Sequence, residues 1–167
     1  MKELSANPQL LCFDRYIGDP DLKARLREPI EAAKAQGILP PHMLFSGLPE
    51  TGSATFAMII AKVLNLPVFR FSGCELKTAS QFKELLKTPE CGALVFIDGI
   101  DAISHESAEL LCSIMKDRQM SSPTDPTLIF YLNPLMAIGA TTAPASLEKP
   151  LLDLFTLKFT IPPLPHK

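Results

Sequence analysis

The sequence has no tryptophan and only two tyrosines, so its aromatic content rests on 10 phenylalanines. Phenylalanine lacks a polar handle and suits core packing better than base stacking, which removes one route to nucleic acid. No apolar stretch approaches the length of a membrane span, and the opening MKELSANPQL lacks the hydrophobic core of a signal peptide. A cytoplasmic protein is expected. Charge of neither sign dominates: 16 basic residues face 18 acidic ones for a net charge of −2, a balance that gives no global field to draw in nucleic acid. Direct nucleic-acid binding is therefore not expected. Cys12, Cys74, Cys91 and Cys112 show no C-x-x-C spacing, and His42, His105 and His166 add no metal-ligand cluster. No metal is expected, and the thiols read as reduced and mostly buried.

What is present is a core: 167 residues at 47% hydrophobic content suit one domain spanning 1–167. Asp19 or Asp21 caps a helix running to about Gln36, which Gly37 and the Pro40-Pro41 pair stop. Residues 42–46 read as a buried strand, 54–64 as a helix and 68–72 as a second strand. Residues 78–87 place Phe82, Leu85 and Leu86 on one helical face, and Ala93 to Ile97 is the clearest buried strand. Ser104 begins a helix to about Lys116, a polar loop crosses 121–126, and apolar segments follow at 128–132, 135–140 and 157–161. Strands alternating with helices imply right-handed crossovers, hence a three-layer α/β/α sandwich on a mainly parallel five-stranded sheet. Ligands in such sheets bind at the carboxyl ends of strands, where Gly47 and Asp98 lie.

The stretch Gly47-Leu48-Pro49-Glu50-Thr51-Gly52-Ser53-Ala54-Thr55 has the glycine spacing of a phosphate-binding loop between a strand and a helix. In a working loop, backbone N–H groups and the helix N-terminus attract the phosphates, a lysine neutralises their charge, and a hydroxyl residue holds magnesium. Here Ser53 stands at the lysine position and Ala54 at the hydroxyl position, so only the backbone part survives. An inward-pointing Glu50 about 4 Å from a phosphate oxygen would cost on the order of 4 kcal/mol at an effective dielectric near 20. That is roughly a thousandfold in affinity.

A second feature is Leu94-Val95-Phe96-Ile97-Asp98-Gly99-Ile100-Asp101, a hydrophobic strand ending in an acid, as a magnesium-orienting Walker B segment does. Gly99 occupies the position of the water-polarising glutamate, and Asp101 lies two positions too late to substitute for it. Asp98 alone reads equally well as a turn cap, and the phosphate-type loop favours a vestigial metal site. Asp101 and His105, four apart, fit a solvated acidic helix start, and Cys74 beside Glu75 reads as structural.

Taken together these tracts resemble the RuvB Holliday-junction branch-migration motors of the AAA+ ATPases over about residues 13–160. Tyr16-Ile17-Gly18 with the charged helix ending Ile30-Glu31-Ala32-Ala33-Lys34 is similar to the family's segment before the phosphate loop, and residues 98–104 follow its Walker B register. Ile138-Gly139-Ala140-Thr141-Thr142 resembles its sensor 1 strand, which reads the γ-phosphate through a threonine. Lys149-Pro150-Leu151-Leu152-Asp153-Leu154-Phe155 resembles its Pro-Leu-Arg-Asp-Arg-Phe segment with Leu152 and Leu154 at the arginine positions. An arginine finger acting across a subunit boundary supplies three to five orders of magnitude in rate. The segment between Met115 and Leu135, with Pro123 and Pro126, is shorter than the family's hairpin that docks the junction-binding partner, so that engagement is not expected. The resemblance implies a P-loop NTPase fold of the AAA+ large-domain type, without the helical lid and winged-helix domains.

Cation, metal hydroxyl, water-polarising acid and trans arginine are all replaced, so a pseudo-ATPase is expected, with no catalytic residue assigned. Gly47, Glu50, Thr51, Gly52, Ser53, Ala54, Thr55, Asp98 and Thr141 form its vestigial nucleotide site. No cofactor is expected, and the chain reads as a regulatory or structural module that binds an unknown protein partner, with AAA+ relatives among the candidates. The alternatives are a sensor that holds ATP or ADP weakly without turnover, and relocated catalysis by Asp98, Asp101 and Thr141. Without nucleotide to cement a ring, a monomer or small oligomer is expected, and Leu151, Leu152, Leu154 and Phe155 read as core more readily than as a contact surface.

Overall fold

The computed structural model describes residues 20–47, 53–77, 81–82, 85, 88–122, 125 and 127–161. Helix α1 spans Pro20–Gln36 and places Leu22, Leu26, Ile30 and Ala33 on one buried stripe at helical spacing. Asp21 lies inside its first turn rather than at the cap, so its carboxylate complements the positive helix end; Asp19 lies outside the described residues. Gly37, at φ +70°, ends the helix in the left-handed geometry that favours glycine.

Strand β1 (Met43–Ser46) leads toward α2 (Ser53–Leu64), which is followed by β2 (Val68–Ser72) and β3 (Ala93–Asp98). Helix α3 (His105–Asp117) starts at Ser104, whose hydroxyl accepts the Ser107 amide as an N-cap. A hairpin of β4 (Gln119–Ser121) and β5 (Ile129–Tyr131) precedes β6 (Leu135–Thr141), α4 (Lys149–Leu154) and β7 (Leu157–Thr160). The strands assemble as β2-β3-β6-β1-β7 with every pairing parallel, and β4-β5 form a separate antiparallel ribbon. The expected five-stranded sheet is thus observed. The helix expected at 78–87 falls largely outside the described residues, although Phe82 and Leu85 are fully buried as its apolar face requires.

Because side chains alternate across a strand, each central strand feeds two cores. Met43 and Phe45 of β1, Phe96 of β3 and Ile138 of β6 pack beneath α1 and α2. Leu44, Val95, Ile97 and Ala137 pack on the other face against Leu111 and Ile114 of α3 and Leu151 of α4. Three layers result, as expected. Cys74 and Cys91 depart from the expectation of buried thiols: both are exposed, because they sit in turns at the ends of the sheet, while Cys112 is half-buried on α3.

His42 ties the amino-terminal end of the sheet to α3. Its Nδ1 accepts the Ala137 amide of β6 at 2.9 Å, so Nε2 carries the proton and donates to the Met115 carbonyl at 3.3 Å. Burial pushes its pKa below the ordinary value, with the Met115 bond opposing in part. The folded chain then binds fewer protons than the unfolded one, so this contribution is complete above about pH 6.5 and fades as pH falls below it. His42→Phe is expected to cost about 1–3 kcal/mol in urea melts at pH 8, because a buried amide and carbonyl lose their partner, and to flatten the stability loss between pH 6.5 and 5.

Candidate functional site

Three adjacent strands end together at the carboxyl edge of the sheet. Ser46 pairs with Thr141 and Asp98 with Ala140, which sets the ends of β1, β6 and β3 side by side. Gly47 follows directly, and its N–H donates to the Thr141 carbonyl at 3.1 Å, so that amide is already used. Ser53, Ala54 and Thr55 open α2, with Ser53 and Ala54 half-buried and Thr55 exposed. Glu50, Thr51 and Gly52 lie outside the described residues. Asp98 is exposed at the strand end, while Thr141 is buried at 5% exposure.

The structure brings Thr141 and Asp101 together across 40 positions of sequence. The Thr141 hydroxyl donates to Asp101 Oδ1 at 2.6 Å and accepts the Ala143 amide at 2.9 Å. Asp101 reaches it because β3 ends in a 3-10 turn at Ile100–Ala102 that Gly99 opens with φ 67° and ψ 46°. Ile100, fully buried, presses on Gly139 of β6, where a Cβ would lie 2.9 Å from its Cδ1. Behind the turn a Cβ on Gly73 would lie 2.0 Å from the Gly99 carbonyl oxygen, so only glycine lets the turns after β2 and β3 touch. The sequence groups Asp101 with Asp98 and Thr141 but holds no sign of a direct bond.

His105 does not face Asp101. Its Nδ1 lies 2.6 Å from Glu148, which precedes α4, and its Nε2 lies 3.1 Å from Glu109. Glu148 first, then Glu109, raises its pKa. This exposed clasp is complete below about pH 6.5 and is lost as pH rises through the raised value, the reverse of His42. Leu152 and Leu154 are half-buried against the core, beside the buried Leu151 and Phe155.

The apolar segment expected at 128–132 forms β5 and its flank, and it leaves Leu128, Ile129 and Tyr131 exposed, Tyr131 at 76%, a surface that the sequence does not signal. The hairpin tip is held by Asp125 Oδ1, which accepts from both the amide and the hydroxyl of Thr127.

A model of the Holliday junction DNA helicase RuvB P-loop domain matches residues 7–161. The chain belongs to the RuvB P-loop domain family. It is 38% identical over 158 residues to the Holliday junction branch migration complex subunit RuvB of Leuconostoc mesenteroides, covering 92% of this chain and 44% of that protein. The corresponding subunit of Fervidobacterium nodosum is 34% identical over 160 residues, covering 93% and 46%. A Thermotoga maritima RuvB mutant structure superposes with a TM-score of 0.81 at 29% identity, covering 90% of this chain and 48% of that one. The chain therefore spans less than half the length of the curated RuvB proteins it matches.

Within this RuvB-family fold the glycine at 99 is conformationally committed. Nothing lies within 4 Å of a Cβ built there, so a side chain has room, but a left-handed φ costs an L-residue roughly 1–2 kcal/mol. Gly99→Glu is expected to lower stability by about that amount in chemical denaturation.

Proposed function

We propose that this RuvB-family core has lost ATP hydrolysis and works as a protein-binding module. The observation that carries the reading is the chemistry of the carboxyl edge. Among the described residues that end β1, β3 and β6 and open α2, there are carboxylates, hydroxyls and small side chains, and no cation. Phosphoryl transfer is accelerated almost wholly by positioning and by positive charge placed on the phosphates. Asp98, Asp101 and Thr141 offer negative charge and an engaged hydroxyl instead.

The module needs a surface to bind with, and the β4-β5 hairpin supplies one. Although shorter than the resemblance leads one to expect, the segment pairs Gln119 with Tyr131 and Ser121 with Ile129, and lifts Leu128, Ile129 and Tyr131 into solvent. Exposed apolar side chains grouped on a two-stranded ribbon favour a protein contact. The relatives are subunits of a branch migration complex, so the fitting partner is another subunit of such an assembly, a reading that the exposed side chains favour over the expectation drawn from the segment's length and prolines.

Two experiments test this reading. Calorimetric titration with ATP and magnesium should be silent in the parent chain and give heat in Glu50→Gly/Ser53→Lys/Ala54→Thr, while phosphate release stays at background in the parent. Phosphate release that Asp98→Asn abolishes would sink the proposal, and micromolar parental binding without turnover would replace it with the nucleotide sensor. On the hairpin, Tyr131→Ser should weaken capture of purified branch-migration subunits roughly five- to thirtyfold, since truncating a buried interface tyrosine costs about 1–2 kcal/mol. Unchanged capture would remove the hairpin from the interface.

A further inference from the structure

Strand β7 ends the sheet and pairs with β1 on one side only. In a parallel strand the backbone groups of successive residues turn alternately to the two sides. The Leu157 and Ile161 amides donate to the His42 and Ser46 carbonyls, and the Phe159 carbonyl accepts the Ser46 hydroxyl at 3.3 Å, so the odd-numbered groups serve β1. The N–H and C=O groups of Lys158 and Thr160 therefore turn outward, where no strand among the described residues meets them. Side chains alternate too: Leu157 and Phe159 pack with the α1/α2 core, whereas Lys158 and Thr160 lie on the other face and are exposed. The flank of α1 completes a groove beside this edge. Arg25, Glu28, Pro29 and Ala32 recur at helical spacing on one side of α1, and with Leu157 and Phe159 they line a volume of about 600 Å³. The Arg25 guanidinium lies 5.5 Å from the centre of the Phe159 ring, and Lys158 adds a second cation to the lining, against Glu28 as its one acid. Neither Arg25 nor Lys158 has an ion-pair partner among the described residues.

We infer that the β7 edge is a docking surface in its own right and takes an extended, acidic segment of a partner protein as an added strand. The outward N–H and C=O groups of Lys158 and Thr160 supply the main-chain bonds. One row of the segment's side chains enters the groove over Pro29, Ala32 and Phe159, where apolar groups fit; the other lies beside Lys158 and Thr160, where a carboxylate fits. Two cations against one acid set the sign of the partner. The same charge disfavours a second copy of this chain, because pairing two β7 edges about a two-fold axis brings both Lys158 ammonium groups onto one face, opposite or diagonal to each other. This surface is separate from the β4-β5 ribbon, and the inference does not depend on whether the chain hydrolyses nucleotide.

The test uses the full chain and fluorescein-labelled peptides of roughly eight residues, long enough to span the strand. One alternates glutamate with valine, one alternates lysine with valine, and one is the glutamate-valine peptide with proline at its centre. In anisotropy titrations the glutamate-valine peptide should bind saturably and the other two about tenfold more weakly or worse. Arg25→Glu/Lys158→Glu should weaken the glutamate-valine peptide about tenfold and turn the preference to the lysine-valine one, because two exposed pairs change from attraction to repulsion. Thr160→Pro removes one outward N–H without altering charge and should weaken binding roughly three- to tenfold. Thermal melts confirm that each variant is folded. On the unaltered chain, amide exchange followed by NMR should slow at Lys158 and Thr160 under saturating glutamate-valine peptide and change little at Leu157, whose amide already serves β1; this readout decides the matter if a variant fails to fold. Absent binding, or equal binding of the acidic and basic peptides, overturns the inference, as does binding that leaves the Lys158 and Thr160 amides unprotected. Protection of those amides that rises with protein concentration in the absence of peptide overturns it in favour of a second copy of the chain.

Discussion

Strand β6 is buried along all seven residues and lies between β3 and β1, and this burial sets the terms for the rest of the molecule. A strand with no face in water demands apolar cover on both sides, which α1 and α2 provide on one face and α3 and α4 on the other. Its backbone groups must also find partners along their whole length, including near its start, where the Ala137 amide meets the His42 ring. At its far end the same requirement is met by polar side chains: the buried Thr141 hydroxyl engages Asp101 and the Ala143 amide. Gly139 in its interior is the concession that lets Ile100 and Phe155 close over it.

Much of this was legible from residue patterns. The apolar runs of β3 and β6 have the length and continuity of strands buried on both faces, and α1 announces its stripe through Leu22, Leu26 and Ile30. Gly37 and the prolines that follow mark its end for stereochemical reasons that hold in any context. The strand order was less accessible, because β6 inserts between β3 and β1 far from either in sequence. Exposure of the hairpin was hidden for a different reason: Leu128, Ile129 and Tyr131 have the composition of a core strand, and only the two-stranded ribbon standing apart from the main sheet leaves them in water. The thiols of Cys74 and Cys91 were misplaced because burial statistics for cysteine say nothing about residues held in turns.

The candidate site divides in the same way. Residue identity alone locates the altered loop and the acid at the end of β3, because their meaning depends on type and spacing. The bond between Thr141 and Asp101 depends instead on one backbone conformation at Gly99 and on two glycine contacts, none of which has a periodic signature. The family match then places both halves of the site in one domain of known architecture. Its carboxyl edge gathers Asp98, Asp101 and Thr141 at the ends of neighbouring strands.

Gly99 gives the arrangement a direction in mutational space. The left-handed backbone there is comfortable for glycine alone, and Gly73 and Ile100 have packed around the turn that it opens. An acid placed at position 99 meets backbone strain although the space around it is open, so the obstacle is the φ of the turn and not a neighbouring side chain. Relieving that strain calls for a different turn, and the turn is fixed by its contacts with Gly73 and by the burial of Ile100 on Gly139.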